Sequence, residues 1–148
     1  MPSSPTTMRR VLFVCEGNTC RSPMAEAAAR HLLGGEMHVE SAGIAADEGA
    51  SATKDAVRAM EERGLDITAH RSRSLSTLNL PDFDLLVALT PTIAQHLRDR
   101  GVDASKLRAL DICDPYGKGL DAYRATAVTI ERDLRALFGA SSEEHRGD

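Results

Sequence analysis

Aromatic residues are scarce in this sequence: tryptophan is absent, and phenylalanine and tyrosine together make up 3% of 148 residues. The net charge of −4, without a basic stripe, gives no electrostatic footprint for nucleic-acid binding. No apolar stretch approaches the length of a membrane-spanning helix, and no signal-peptide core follows the N-terminus. We therefore expect no nucleic-acid partner, no membrane association and a cytoplasmic location.

Cysteine is also sparse, with three residues, Cys15, Cys20 and Cys113. An odd number in a chain of this size argues against a disulfide framework and for reduced thiols. The Cys15-x4-Cys20 spacing could be half of a metal site, but such a site needs two further ligands. Cys113 and an unpaired histidine supply these poorly, so we expect neither a metal nor another cofactor.

The order of apolar and helical segments predicts one domain over residues 1–148, since 42% apolar content and no internal repeat suit one core. Strands are predicted at residues 11–15, 37–41, 84–89 and 107–110, and helices at 23–33, 52–63, 92–100 and 120–138. This alternation indicates an α/β fold, a doubly wound four-stranded parallel sheet flanked by helices. Residues 1–8 and 140–148 are expected to be flexible. The helical residues predicted to lie in the core are Ala56, Val57, Met60, Val128, Ile130, Leu134 and Leu137.

The junction between the first strand and the first helix is the most informative segment. Cys15 follows a short buried strand, and Ser22 and Pro23 are typical of a helix N-cap and first helical position. Between them, the N–H groups of residues 17–22 can converge above the helix N-terminus and bind an anion. Gly17 and Asn18 tolerate the positive φ that such a loop needs. We call residues 15–22 the Cys15 loop.

A cysteine in this position is suited to nucleophilic chemistry. The helix N-terminus, the amide donors and Arg21 all favour a thiolate, so we expect the pKa of Cys15 to fall below its ordinary value of about 8.5. Arg21 can hold two oxygens of a phosphoryl group, and Ser22 can donate its hydroxyl to the sulfur. A buried structural cysteine is the alternative interpretation of Cys15.

An acidic residue is expected at the same edge of the sheet. Asp114 and Pro115 follow the apolar segment 107–112 and precede Gly117 and Gly119, which places them on a loop at a strand's carboxyl end. A carboxyl group there can give a proton to a leaving group and later take one from water. On spacing alone, an Asp-Pro turn without chemistry is the better-supported alternative.

Residues 11–26 resemble the phosphate-binding loop of the low-molecular-weight protein tyrosine phosphatase family. The resemblance extends over nearly the whole chain, except the first several and last ten or so residues. The other matching motifs, in the family's order, are Ser41-Ala42-Gly43, His70-Arg71-Ser72-Arg73, residues 84–89 and Asp114-Pro115-Tyr116.

This resemblance implies a role for each matching residue. Cys15 would be the nucleophile, Arg21 would bind the phosphoryl group, and Asp114 would be the general acid and base. The residues that would contact the substrate are Glu16, Gly17, Asn18, Thr19, Cys20, Ser22 and Tyr116. Asn18, Ser41 and His70 would hydrogen-bond the loop into shape. The implied partners are phosphorylated proteins, with phosphate or another oxyanion bound in the loop.

The resemblance also implies that Cys20 can form a reversible disulfide with an oxidised Cys15, which would protect the nucleophile. Packing of a small apolar side chain under the loop is the other interpretation of Cys20, and both can hold. Cys113 is interpreted as structural. Arg71 and Arg73 are expected to be solvated surface arginines, and a small basic edge near the site is the alternative.

Thr19 departs from the tyrosine phosphatases of this family, which usually have a bulky aliphatic residue there. The segment 44–51 also lacks the Trp or Tyr wall that those relatives use, which leaves mainly Tyr116. The chain is more similar to the bacterial protein arginine phosphatases, in the motif around Thr19, in Thr90, and in residues 114–117. Phosphoarginine is therefore the expected substrate and phosphotyrosine the alternative. An arsenate reductase is a third, weaker alternative, since it needs a further nearby cysteine pair.

Overall fold

Four parallel strands form the sheet of the computed structural model, which describes residues 9–139. They are β1 Arg9–Cys15, β2 Met37–Gly43, β3 Leu85–Ala88 and β4 Leu107–Ala109, in the spatial order β2-β1-β3-β4. The predicted α/β fold class is confirmed, and the third and fourth strands are shorter than predicted. The tails predicted to be flexible lie outside the described residues.

Helices cover both faces of the sheet: α1 Arg21–Leu33, α2 Lys54–Glu61, α3 Pro91–Asp99 and α4 Leu120–Leu137. Alternate residues of β1 point to opposite faces. Val11 and Phe13 pack in one core with α1, α2 and α4, whereas Leu12 and Val14 pack in a second core with α3. Within the described part of the chain, no helix combines the length and apolarity needed to cross a bilayer.

Three local details differ from the prediction. Helix α1 begins at Arg21 and has no side-chain cap, because the Ser22 hydroxyl contacts other groups of the Cys15 loop. Helix α2 begins after Thr53, whose Oγ1 accepts a hydrogen bond from the Ala56 N–H. The prediction that Val128 lies in the core is wrong: it is 54% exposed, because it falls beside the apolar stripe of α4. Gly34 ends α1 as predicted, with φ +76°.

The carboxyl ends of β1 and β2 lie side by side, and β1 leads directly into the Cys15 loop. Cys15 pairs with Gly43, and the carbonyls of Cys15 and Glu16 accept hydrogen bonds from the N–H groups of Ile44 and Ala45. A Cβ atom on Gly43 would lie 2.4 Å from the Glu16 carbonyl oxygen and 3.0 Å from the Asn18 nitrogen. The loop can therefore approach β2 this closely only because residue 43 has no side chain.

Replacing Gly43 by alanine is expected to displace the Cys15 loop. The new methyl group would meet the backbone of Glu16 and Asn18 in that loop, so the free energy of unfolding should fall by roughly 2 kcal/mol or more. Chemical denaturation measures this loss. Gly35→Ala is the matched control, because a Cβ atom on Gly35 would meet no atom within 4 Å; equal stabilities of the two variants would contradict the expectation.

Candidate active site

Asn18 organises the Cys15 loop. Its φ of 57° makes it the one non-glycine residue with positive φ among residues 9–139, and its side chain is fully buried. Gly17, predicted to share this conformation, does not adopt a positive φ. The turn at Asn18 brings its N–H within 3.2 Å of the Cys15 sulfur. The backbone thus curls around the thiol.

The side chain and carbonyl of Asn18 tie the loop to three separate segments. Its Nδ2 donates to the hydroxyls of Ser22, at 2.8 Å, and Ser41, at 3.0 Å. Its Oδ1 accepts from the Arg73 N–H at 3.0 Å, and its carbonyl oxygen lies 2.8 Å from His70 Nε2. Ser41 and His70 thus lie against the loop, where the prediction needs them.

The Cys15 sulfur is enclosed by the loop, and the residue is 2% exposed. Burial raises the pKa of its thiol. Hydrogen bonds from the Ser22 hydroxyl, 2.8 Å away, and from the Asn18 N–H, together with the charge of Arg21, act in the opposite direction. Burial outweighs them, so the expected fall of the Cys15 pKa is wrong for this structure, because the sequence did not show how deeply the sulfur would be enclosed.

Arg21 is the first residue of α1 and is 7% exposed. One guanidinium nitrogen donates to the Ile112 carbonyl at 3.0 Å, and another lies 3.7 Å from Asp114 Oδ2. The other oxygen of Asp114 accepts from the Tyr116 N–H at 3.0 Å. Because one oxygen faces Arg21 and the other faces the Tyr116 N–H, the orientation of this half-exposed carboxylate at the edge of the loop is fixed.

A cavity of about 200 Å³ opens between the loop and the segment that follows Ile112. It brings together Cys15, Glu16, Gly17, Asn18, Thr19, Cys20, Arg21, Asp114 and Tyr116. Within residues 9–139, the N–H groups of Gly17, Thr19 and Cys20 meet no protein acceptor. These amides and the Arg21 guanidinium can therefore bind a tetrahedral oxyanion next to the Cys15 sulfur.

Cys20 faces a different environment from Cys15. Its sulfur lies 3.2 Å from the Tyr123 hydroxyl and 3.7 Å from Thr53 Oγ1, beneath the loop. Burial raises the pKa of Tyr123, so the phenol stays protonated. All three cysteines are free thiols, and Cys113 is exposed. The disulfide between Cys15 and Cys20 stays a prediction, and the interpretation of Cys113 as structural gains no support from its exposure.

The prediction that Arg73 is a solvated surface arginine is wrong. Its Nε donates to the Ser41 carbonyl at 3.1 Å, and its guanidinium pairs with Glu40 at 2.5 Å. Arg71, in contrast, is exposed as predicted. The sequence does not reveal these side-chain contacts, because Arg73 lies 32 residues from Ser41 and 33 residues from Glu40.

Comparison with known proteins agrees with this geometry. The model of the low molecular weight phosphotyrosine protein phosphatase family matches residues 10–146. The chain belongs to this family. The resemblance stated from sequence is thereby confirmed, and the protein is a phosphatase by family.

Individual relatives of this phosphatase differ in their named substrates. The probable low molecular weight protein-tyrosine-phosphatase EpsP of Ralstonia nicotianae is 35% identical, over 87% of this chain and 93% of its own length. The protein-arginine-phosphatase of Bacillus subtilis is 33% identical, over 92% and 99%. The low molecular weight protein tyrosine phosphatase structure from T. tengcongensis aligns with TM-score 0.81 and 36% identity, over 88% and 97%. Overall similarity therefore supports the reaction class and leaves the substrate open.

The ion pairs around Glu40 give a testable dependence of stability on pH. Burial raises the pKa of Glu40, but hydrogen bonds from Arg10 and Arg73 outweigh this and lower it from 4.5 to about 2. A lowered pKa in the folded state stabilises the protein above pH 4.5, and this contribution is lost as the pH falls towards 2. Glu40→Gln should lower the free energy of unfolding at pH 7 by roughly 1–3 kcal/mol.

The difference in free energy of unfolding between Glu40→Gln and the wild type should shrink steadily as the pH is lowered from 4.5 to the acid limit of folding. Denaturation repeated at several pH values in this range measures it. Glu61→Gln is the control, because Glu61 is exposed and makes no ion pair among the described residues. A difference for Glu40→Gln that stayed constant over this pH range would show that its ion pairs do not stabilise the fold.

Proposed function

We propose that this phosphatase hydrolyses phosphoarginine in proteins through a covalent intermediate on Cys15. The observation that supports this substrate is the composition of the cavity. Thr19, whose side chain is small and polar, lines the cavity together with the Asp114 carboxylate. A guanidinium fits this pair better than an aromatic ring does, because one oxygen of the Asp114 carboxyl group can accept an N–H bond from it while the protonated oxygen faces the leaving nitrogen.

The first half of the reaction transfers the phosphoryl group to sulfur. The Cys15 thiolate attacks phosphorus in line with the leaving nitrogen, so that the S–P bond forms as the N–P bond breaks. Asp114 gives its proton to the leaving nitrogen. Arg21 and the free loop amides stabilise the charge on the equatorial oxygens, in a site where these donors are already in place.

The second half regenerates the enzyme. Asp114, now ionised, takes a proton from a water molecule that attacks phosphorus. The S–P bond breaks, inorganic phosphate leaves, and the Ser22 hydroxyl stabilises the departing Cys15 thiolate by its hydrogen bond. The proposed partners are phosphorylated proteins, and the three reduced thiols support a cytoplasmic location.

Glu16, Gly17, Asn18 and Cys20 would contact the phosphoryl group chiefly through the loop backbone. Ser41 and His70 would act indirectly, through Asn18. Tyr116 would contact the substrate from outside the phosphate site, because it lies at the rim of the cavity and is 68% exposed.

Phosphotyrosine is the second candidate substrate, and the exposed ring of Tyr116 is the observation that favours it, since a ring at the rim can stack on a phenyl group. Arsenate reduction has less support. Cys113 is exposed, and the chain has no further cysteine with which it could receive a disulfide.

The substrate assignment can be tested at Thr19. We expect the wild type to have a higher kcat/KM for a phosphoarginine peptide than for a phosphotyrosine peptide of the same sequence. Thr19→Ile should shift the ratio of these two constants towards phosphotyrosine by about tenfold, or about 1.4 kcal/mol, because the larger side chain excludes the guanidinium and packs against a ring.

Two variants complete this experiment. Thr92→Ile is the matched control, because Thr92 is an exposed residue of α3 outside the cavity, and its ratio should equal that of the wild type. Cys15→Ser should abolish turnover of both peptides and keep inorganic phosphate binding. A wild-type preference for phosphotyrosine would disprove the arginine assignment, and turnover by Cys15→Ser would remove Cys15 from its role.

The proposed acid can be tested separately. Asp114→Asn should lower kcat by about 10²-fold or more on a substrate with a poor leaving group. It should have a smaller effect on an aryl phosphate with a good leaving group, which needs little protonation. Rates on both substrates and their pH profiles measure this difference, and an equal loss on both would contradict a role in protonating the leaving group.

A further inference from the structure

Gly17 lines the cavity of about 200 Å³ and lacks the usual structural reasons for a glycine. It does not adopt a positive φ, so an ordinary L-residue could have this backbone conformation. A Cβ atom on Gly17 would lie 3.8 Å from Thr19 Oγ1, an ordinary van der Waals distance. Among residues 9–139 it would meet no other atom within 4 Å apart from its chain neighbours. The space beside residue 17 is therefore open.

Gly43 differs from Gly17 in this respect. A Cβ atom on Gly43 would lie 2.4 Å from the Glu16 carbonyl oxygen, so the packing of β2 against the Cys15 loop excludes a side chain there. An alanine at residue 17 would meet no such atom, and it would restrict the unfolded chain, which favours the folded state. Gly17 thus forgoes stability that alanine would supply. A ligand in the cavity can provide the reason that the fold itself does not.

The geometry of phosphoryl transfer shows which part of a ligand would lie there. In-line attack by the Cys15 sulfur places the leaving group on the opposite side of phosphorus, towards the open mouth of the cavity. Thr19, Asp114 and Tyr116 line this cavity together with Gly17. Since a Cβ atom on Gly17 would point at Thr19 Oγ1, a leaving group that passes Thr19 also passes the bare backbone of Gly17.

We propose that Gly17 and Thr19 together form a leaving-group subsite, in which the leaving group lies against the bare backbone of Gly17. The inference rests on the proposed function, because the attack by Cys15 sets the direction of the leaving group. A glycine lets a flat group, such as a guanidinium or an aryl ring, approach the loop backbone to van der Waals contact. A side chain at residue 17 would occupy the place of that group.

A requirement of the loop backbone for glycine is the competing explanation. The N–H of Gly17 meets no acceptor within the described part of the chain, so it is one of the amides that can face a phosphoryl oxygen. A distorted backbone at residue 17 would turn this amide away and weaken the binding of every oxyanion, inorganic phosphate included. A methyl group in the leaving-group subsite would weaken only those oxyanions that have a further group attached.

Gly17→Ala separates the two explanations with two ligands, inorganic phosphate and benzylphosphonate, whose benzyl group takes the place of the leaving group. We expect the dissociation constant of phosphate to stay within about twofold of the wild type. That of benzylphosphonate should rise by about tenfold, because the new methyl group overlaps the benzyl group. Isothermal titration calorimetry measures both constants without any turnover. The kcat/KM for an aryl phosphate should fall by a similar factor.

Three further measurements control this experiment. Chemical denaturation of Gly17→Ala should give a midpoint equal to or above that of the wild type. Gly35→Ala is the matched control, because a Cβ atom on Gly35 would meet no atom within 4 Å and the residue lies outside the cavity; both dissociation constants should equal those of the wild type. Thr19→Ala widens the same subsite, so the loss of benzylphosphonate affinity caused by Gly17→Ala should be smaller in its presence.

Equal changes for the two ligands in Gly17→Ala would overturn the inference, and so would an unchanged affinity for benzylphosphonate. A variant that no longer folds would also overturn it, because the inference requires that the fold accept a methyl group there. An equal loss with and without Thr19→Ala would show that the two residues do not share a subsite.

Failure of the proposed function has a different signature. In that case the wild type would not turn over the phosphoarginine peptide, whereas Gly17→Ala would still weaken the binding of benzylphosphonate and leave that of phosphate unchanged.

Discussion

The buried side chain of Asn18 is the constraint on which the Cys15 loop depends. A non-glycine residue in the left-handed region costs on the order of 1 kcal/mol or more, and Asn18 adopts it with φ 57°. The conformation persists because the amide is saturated: it donates to two hydroxyls and accepts from the Arg73 N–H. Any smaller side chain would leave these partners buried without a hydrogen bond.

This arrangement sets two requirements of the proposed nucleophile, Cys15, against each other. Enclosing the sulfur removes it from water, which raises the pKa of Cys15 and works against ionisation. The same enclosure brings the Asn18 N–H and the Ser22 hydroxyl against the sulfur, and lowers the local dielectric constant in which they act. The loop thus offsets part of the lost solvation with donors of fixed direction, and a bound oxyanion meets donors that need no rearrangement.

The sequence predicted features that depend on neighbouring residues, but few contacts between residues that are far apart in the chain. The strand before Cys15 and the glycine stop of α1 follow from patterns a few residues long. The assignment of Ser22 as a helix cap is wrong because its local context allows that role, whereas the folded chain uses its hydroxyl on Cys15. The contacts of Arg73 with Asn18, and of Tyr123 with Cys20, join residues 55 and 103 positions apart. Single-sequence patterns contain no signal for such pairs.

The residues proposed to carry out the reaction are more deeply buried than those proposed to select the substrate. Cys15 and Arg21 are buried, and their contacts are shared with the core of the fold, so substitutions there disturb both the chemistry and the packing. Thr19, Asp114 and Tyr116 lie at the cavity's surface, where a side chain has fewer neighbours to fit. A change at these rim positions can therefore alter which leaving group fits while the buried loop stays the same. Relatives of about one-third identity to this chain are named for tyrosine in one case and arginine in another. The proposed preference for a guanidinium therefore rests on two of these rim residues, the polar Thr19 and the half-exposed carboxylate of Asp114.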